Sequence, residues 1–488
     1  MFPKFAPAGI LALSIVCLTF TAPAPSDAAE APAFPLPSHV NQDDIASGGL
    51  SFSQVFEAGD ELFDAGYNNL DGVGANLAGD AAVSVRFSRT PRADLPGFLF
   101  DNFRATGPNA RSCTACHEAP FEDGSGGIEA NVHRDPQRTR DPRLFIQRNT
   151  PHLFGIGALQ RLAEEATEDL KAIQRKALSR AAACGCSVTA PLTTSNGVSY
   201  GVIVAGPTGA VDTGGVQGVG ADLVVQPFQW KGSVASLRNF VRGAAHNELG
   251  MQPVEMFGHG VDADNDGVAD EFSVGDITAL VIYNAAQPRP VTLLELNTID
   301  PIAFPLAKTK KASITRGQVR FTQIGCATCH IPVLKLKDAL FREPSENPDY
   351  RDSLLPSGLH PLSAGLDPDR PAIFDLTKDL EIPFPSNGRG GAVIALFGDL
   401  KRHEMGPALA ESIDEVGTGA SVWKTRELWG VGSTAPYLHD GRATTLAEAI
   451  LLHGGAAQAA RDAFAVLSEQ DQDDLVGFLK NLVLFKGE

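Results

Sequence analysis

Cys113-Thr114-Ala115-Cys116-His117 and Cys326-Ala327-Thr328-Cys329-His330 decide how this chain is read. Two thiols separated by two residues can each add to a vinyl group of a haem, and the following His then faces the iron as its proximal ligand. A zinc site would want further Cys and His at ligand spacing. A thioredoxin-like pair would not need a His after the second Cys in both copies. The pattern therefore predicts two covalently bound haem c groups, held by Cys113, Cys116 and His117 and by Cys326, Cys329 and His330. Cys184 and Cys186 remain, in Ala183-Cys184-Gly185-Cys186-Ser187 with no His following. They are either bonded to each other or two unpaired thiols.

Each motif is preceded by a stretch with apolar residues at helical spacing. Phe52 to Phe63 (FSQVFEAGDELF) lies some distance before the first, and Ser313 to Cys326 (SITRGQVRFTQIGC), with Gly317 and Phe321, runs into the second. A helix leading into C-x-x-C-H implies a cytochrome c-like unit, so the expected fold class is mainly α, with two cytochrome c-like haem domains. The expected boundaries are 48–300 for the N-terminal haem domain and 308–488 for the C-terminal one. Residues 166–226 pass from a basic helical piece to Gly/Val/Thr-rich sequence, which predicts a loop- and hairpin-rich insertion in the first domain. Near the end, Thr445-Leu446-Ala447-Glu448 is a capping box, Gly454-Gly455 closes that helix, and Ser468 opens a closing helix over 468–482.

The 488 residues carry a formal net charge of -18, which argues against nucleic acid and anionic lipid as partners. Lys4 followed by Ile10 to Phe20 reads as a short secretory signal ending near Ala28, with Cys17 discarded and residues 29–47 as a Pro-rich linker. The expected location is the periplasm, with no membrane span in the mature protein. Separately, Asp262, Asp264, Asp266 and Asp270 occupy positions 1, 3, 5 and 9 of a calcium loop with Gly267 at 6. Ser273 stands where an EF-hand has its bidentate Glu, so Glu271 or Asp276 would complete the shell.

The chain also resembles the di-haem oxidoreductases (sometimes labelled thiol oxidoreductases) of the bacterial di-haem cytochrome c peroxidase superfamily. The resemblance rests on Asp399 to Pro407 (DLKRHEMGP), Trp429-Gly430 and Ala435 to Arg442 (APYLHDGR). In the N-terminal half it rests on Asn149 to Phe154 (NTPHLF), Trp230-Lys231-Gly232 and Gln252 to Met256 (QPVEM). It implies an oxidoreductase in which electrons pass between a C-terminal and an N-terminal haem. It places an axial ligand of the C-terminal haem at His453, which shares a helical stripe with Leu446 and Ile450, and Met405 is the runner-up. It implies His133 as distal ligand of the N-terminal haem iron, Glu255 as the acid/base acting on peroxide, and Trp230 as a relay between the haems. His152, His246 and His403 stay unassigned. Where the peroxidases carry Met, this chain has His453, and bis-His ligation lowers a haem's potential relative to His/Met. The implied partners are an electron-transfer protein or a small oxidant such as peroxide. A pure electron carrier, or an oxidase of an organic or protein substrate, is the alternative.

Overall fold

Ser51 caps a helix that carries a glycine in its third turn, and the same device recurs 258 residues later around Gly317. The computed structural model describes residues 39–68, 70–73, 85–86, 110–135, 145–263 and 266–487. The signal and most of the linker therefore lie outside the described residues. The helices are α1 (Gln42–Ala46), α2 (Phe52–Asp64), α3 (Ile156–Cys184), α4 (Leu237–Asn247), α5 (Val254–Phe257), α6 (Val274–Ala285), α7 (Leu293–Ile299), α8 (Lys308–Gln323), α9 (Leu446–Leu452), α10 (Gln458–Ala465) and α11 (Glu469–Leu479).

Two of the closest helix pairs follow one plan. In α2, a Cβ on Gly59 would collide with the Ala279 carbonyl of α6, so glycine lets the two backbones touch. One turn on, Phe63 packs on Tyr283 with ring centroids 5.1 Å apart. In α8, a Cβ on Gly317 would collide with the Asp474 carbonyl of α11, and one turn on Phe321 packs on Phe478 at 5.3 Å. Each Phe then reaches the His of its own motif, Phe63 to His117 at 5.9 Å and Phe321 to His330 at 6.4 Å. The Gly-x-x-x-Phe spacing thus fixes a crossing of helices above each C-x-x-C-H.

Beyond the helices the chain makes small antiparallel sheets of two or three strands. The expectation of a mainly α fold therefore overstates the helices. Much of the remainder is irregular chain, which sequence periodicity does not report. The expected closing helix over 468–482 stops at Leu479, and Leu482–Val483 instead pairs with Val291–Thr292.

The stretch expected as an insertion begins inside α3, which runs unbroken from Ile156 to Cys184 with no break at 166. It continues as a meander of Val188–Thr193, Ser199–Ala205 and Val211–Asp212. Leu192, Tyr200 and Ile203 are fully buried there. The meander docks on the C-terminal half, where Asn196 bonds both backbone groups of Lys335 and the Tyr200 hydroxyl donates to the Asp399 carbonyl at 3.2 Å. The largest core likewise joins α2, α3 and α6 to Leu334–Leu396, so that stretch packs with the N-terminal half although it lies beyond residue 308. A second core unites Ile314, Phe321, Phe397, Leu446 and Leu475. Among the described residues no helix is long and apolar enough to cross a membrane.

Candidate functional site

Each C-x-x-C-H lines a cavity. That of the second motif measures about 370 Å³ and is walled by Cys326, Cys329, His330, Phe321, Trp429 and Leu479, among others. That of the first measures about 200 Å³ and is walled by Cys113, Cys116, His117, Phe63, Leu159 and Leu280, among others. None of the four motif cysteines is in a disulfide, whereas Cys184 and Cys186 are bonded to each other. Burial pushes the Cys326 thiol up to about 11 and Cys113 higher still, so both are neutral thiols on apolar walls. Neutral thiols beside a largely apolar cavity fit a haem bound through thioethers.

The histidines of the two motifs are held alike. His117 Nδ1 lies 3.3 Å from the Gly124 carbonyl, and His330 Nδ1 lies 3.2 Å from the Phe397 carbonyl. A carbonyl only accepts, so Nδ1 carries the proton and Nε2 keeps its lone pair for a metal. Burial, then the neighbouring His453, hold His330 down at about 4, which keeps the ring neutral.

His453 lines the larger cavity with His330. Its place differs slightly from the sequence reading, since α9 ends at Leu452 and His453 is the C-cap, extended at φ -64°, ψ 131°. Its Nδ1 donates back to the Ala449 carbonyl at 2.7 Å, which again leaves Nε2 for a ligand bond. Met405 lines the same cavity. His403 lies there too, with Nε2 2.8 Å from Asp399. Burial opposes its charge, but Asp399 and Cys329 outweigh it and raise His403 to about 9.

A common wall separates the cavities. Asn149, Thr150, Pro151, His152, Trp230 and Arg426 border both. Trp230 Nε1 donates to the Asn149 carbonyl at 2.9 Å, and the Arg426 guanidinium lies 5.3 Å from the Trp230 ring centre. Asn149 N–H donates to the His439 carbonyl at 2.7 Å, so the NTPH stretch and the HDG turn meet in this wall. His152 Nε2 donates to the Trp429 carbonyl at 3.0 Å, while its buried Nδ1 has no partner. Burial holds this ring neutral, with a pKa near 3.

Two expected residues stand elsewhere. Glu255 does not border the cavity of the first motif. It is fully buried, with Oε1 2.5 Å from Arg238 and Oε2 2.9 Å from Arg242. Arg238 in turn reaches Glu343 at 2.8 Å, so Glu255 sits in a buried ion-pair network. Among the described residues, the glutamate that lines the cavity is Glu248, at the C-terminal cap of α4. His133 lies on strand Val132–Asp135, where the alternation of side chains turns Val132 to the cavity. His246 is buried in the last turn of α4, with Nδ1 donating to the Met251 carbonyl at 2.8 Å.

In the acidic loop Asp264 lies outside the described residues. Asp262 accepts the N–H groups of Asp266 and Gly267, and Asp270 accepts that of Gly260. Asp276 does not complete a shell, because it caps α6 at Ser273 and accepts from Val40 N and His39. Glu271 is buried and accepts the Gln252 N–H at 2.6 Å.

Residues 386–482 match the family described as "Di-haem oxidoreductase, putative peroxidase". No curated protein sequence matches the chain. Among solved structures, one similar chain is a MauG-like protein associated with microbial copper homeostasis, 15% identical with a TM-score of 0.28, covering 67% of this chain and 88% of that one. Another is hydrazine synthase of Kuenenia stuttgartiensis, also 15% identical with a TM-score of 0.32, covering 98% of this chain and all of that one.

Proposed function

We propose that this chain, a di-haem oxidoreductase by its match over residues 386–482, is an exported, peroxidase-like c-type enzyme with one electron-transfer haem and one reactive haem. The observation that carries the reading is the pair of C-x-x-C-H cavities sharing a wall built on Trp230. Bound haem supplies one-electron chemistry and, at an open coordination position, activation of a peroxide.

The chain's own residues divide that work. Cys326, Cys329 and His330 would attach the C-terminal haem, and His453 would be a further ligand to its iron. Both rings are neutral and pinned through Nδ1, which suits a site that only exchanges electrons. Cys113, Cys116 and His117 would attach the N-terminal haem. On that side Glu248 takes the acid/base role expected of Glu255, because it alone of the two borders the cavity. Trp230 supplies the aromatic path through the wall. Arg426, 25% exposed, places a positive charge beside both cavities, where a propionate or a peroxide anion would be drawn. His133 has no part in this reading. Calcium at the Asp262–Asp270 loop would brace the chain just before α6.

The test is spectroscopic. The purified protein should show one low-spin haem inert to carbon monoxide and one haem that binds it once reduced. A second reading has its own observation, since His152 lines the smaller cavity with its Nδ1 unpartnered among the described residues and would close it as a ligand. Two inert low-spin haems would establish that reading, making the protein an electron carrier.

A further inference from the structure

We propose that the Cys184–Cys186 pair is a surface thiol–disulfide exchange site for an anionic thiol, separate from both haem cavities. The bond closes across one residue at the end of α3. Residues 182–187 are all exposed, and a Cβ on Gly185 would meet nothing within 4 Å. An incoming thiolate therefore has open access to either sulfur.

The bond is not needed to hold the turn. Gly185 adopts the left-handed cap (φ 62°), and its N–H and that of Cys186 both donate to the Ala181 carbonyl. After Ser187 the chain enters the meander, which is fixed by its own ladder. A disulfide stabilises a fold mainly by closing a long loop, and this one closes almost none. Exposed disulfides of that kind are the ones that exchange.

Charge selects the partner. Lys176 and Arg180 are exposed and stand two turns and one turn before Cys184 on the same helical face. In a chain of net charge -18 they form a local positive stripe leading to the sulfur. They favour departure of a cysteine thiolate and draw a reductant that carries carboxylates. The exchange balances as follows. A thiolate of the reductant attacks one sulfur, the S–S bond breaks, a mixed disulfide forms, and the other cysteine leaves as thiolate. A second thiol of the reductant attacks the mixed disulfide. Both cysteines end reduced, the reductant leaves as its own disulfide, and two electrons and two protons have passed to the pair.

The full-length holoprotein tests this with glutathione as the anionic thiol and dithiothreitol as the neutral one, the pair being counted by maleimide mass tagging. Reduction should be reversible and leave far-UV dichroism, the haem spectrum and Tm unchanged. Lys176→Glu with Arg180→Glu should slow reduction by glutathione about fivefold while sparing dithiothreitol, as expected for a charge reversal near water. A pair that resists excess dithiothreitol would overturn the proposal, as would a fall in Tm on reduction, or equal slowing with both thiols. The Cys184→Ser, Cys186→Ser protein should keep the same Tm and take up no tag at this site.

Discussion

The two cavities are built on one plan and finished differently. Both sit under a Gly-x-x-x-Phe helix crossing, and both pin the His of the motif through Nδ1 to a backbone carbonyl. The larger one adds His453, with Nδ1 tied to Ala449. Among the described residues the smaller one has, besides His117, the wall residue His152, the carboxylate Glu248 and the apolar side chains of α3, α4 and α6. The residues that would attach a haem are thus arranged alike in both, and the opposite face decides what each could do. A neutral imidazole there makes a closed relay, whereas a carboxylate on an apolar wall makes a place for proton transfer.

The sharpest way to break this comparison is to exchange the roles of the two glutamates. Glu248→Gln should lower peroxide turnover with a reduced cytochrome donor by about a hundredfold or more, as loss of a general acid/base does. Its stability should hardly change. Glu255→Gln should leave the rate constant of the folded enzyme near wild type. It should cost about 3–5 kcal/mol in denaturant unfolding, because Arg238 and Arg242 then share a buried site with no carboxylate to pair both. The reverse pattern would restore Glu255 to the chemistry and make Glu248 a cap residue.

That pair also shows where the sequence was readable. The haem motifs, the Gly59/Phe63 and Gly317/Phe321 helices and the α9 capping box follow from local spacing, and local spacing is what a sequence displays. Glu248 and Glu255 are seven residues apart, and both lie near α4. Which one faces the cavity depends on Arg238 and Arg242, whose orientation is set by packing against Glu343 and Asp352, about a hundred residues away in the chain. The same reason hid the course of Leu334–Leu396, whose alternating apolar residues signal burial but not which core receives them. The resemblance points to His133, whereas its strand neighbour Val132 is the one that lines the cavity, which only the folded strand reveals.

A second test asks whether the shared plan is equal in energy. Gly59→Ala and Gly317→Ala each drive a methyl into a carbonyl across a helix crossing. Each should cost about 1–3 kcal/mol, the usual penalty for overpacking. Unfolding followed at the Soret band should show the Gly317 variant losing its C-terminal haem environment first, and the Gly59 variant the N-terminal one. Equal, simultaneous loss in both variants would mean that the common core binds the two halves into one cooperative unit.

The closed relay can be opened chemically. His453→Met replaces the imidazole with a thioether, and His/Met ligation raises haem potential relative to bis-His. Redox titration should show one haem moving upward and the other nearly still. Movement of neither would pass the ligand role to Met405, which borders the same cavity.

The smallest effect is expected far from both irons. If Asp262, Asp264, Asp266 and Asp270 bind calcium, the ion stabilises only the folded loop, by RT ln(1 + [L]/Kd), or about 2.7 kcal/mol when calcium is at a hundred times its Kd. Spread over a chain of this size, chelation should lower Tm by only a few degrees. The haem spectra should stay put, because the loop leads into α6 through Ser273, whose cap with Asp276 needs no metal. Asp262→Asn should remove most of the calcium effect on Tm. It keeps an oxygen for only one of the Asp266 and Gly267 N–H groups, which Asp262 takes on separate oxygens, so the calcium-free Tm should fall slightly below that of the wild type. A Tm indifferent to calcium would leave the loop an acidic turn closed by its own backbone bonds, and would remove calcium from the account without touching either cavity.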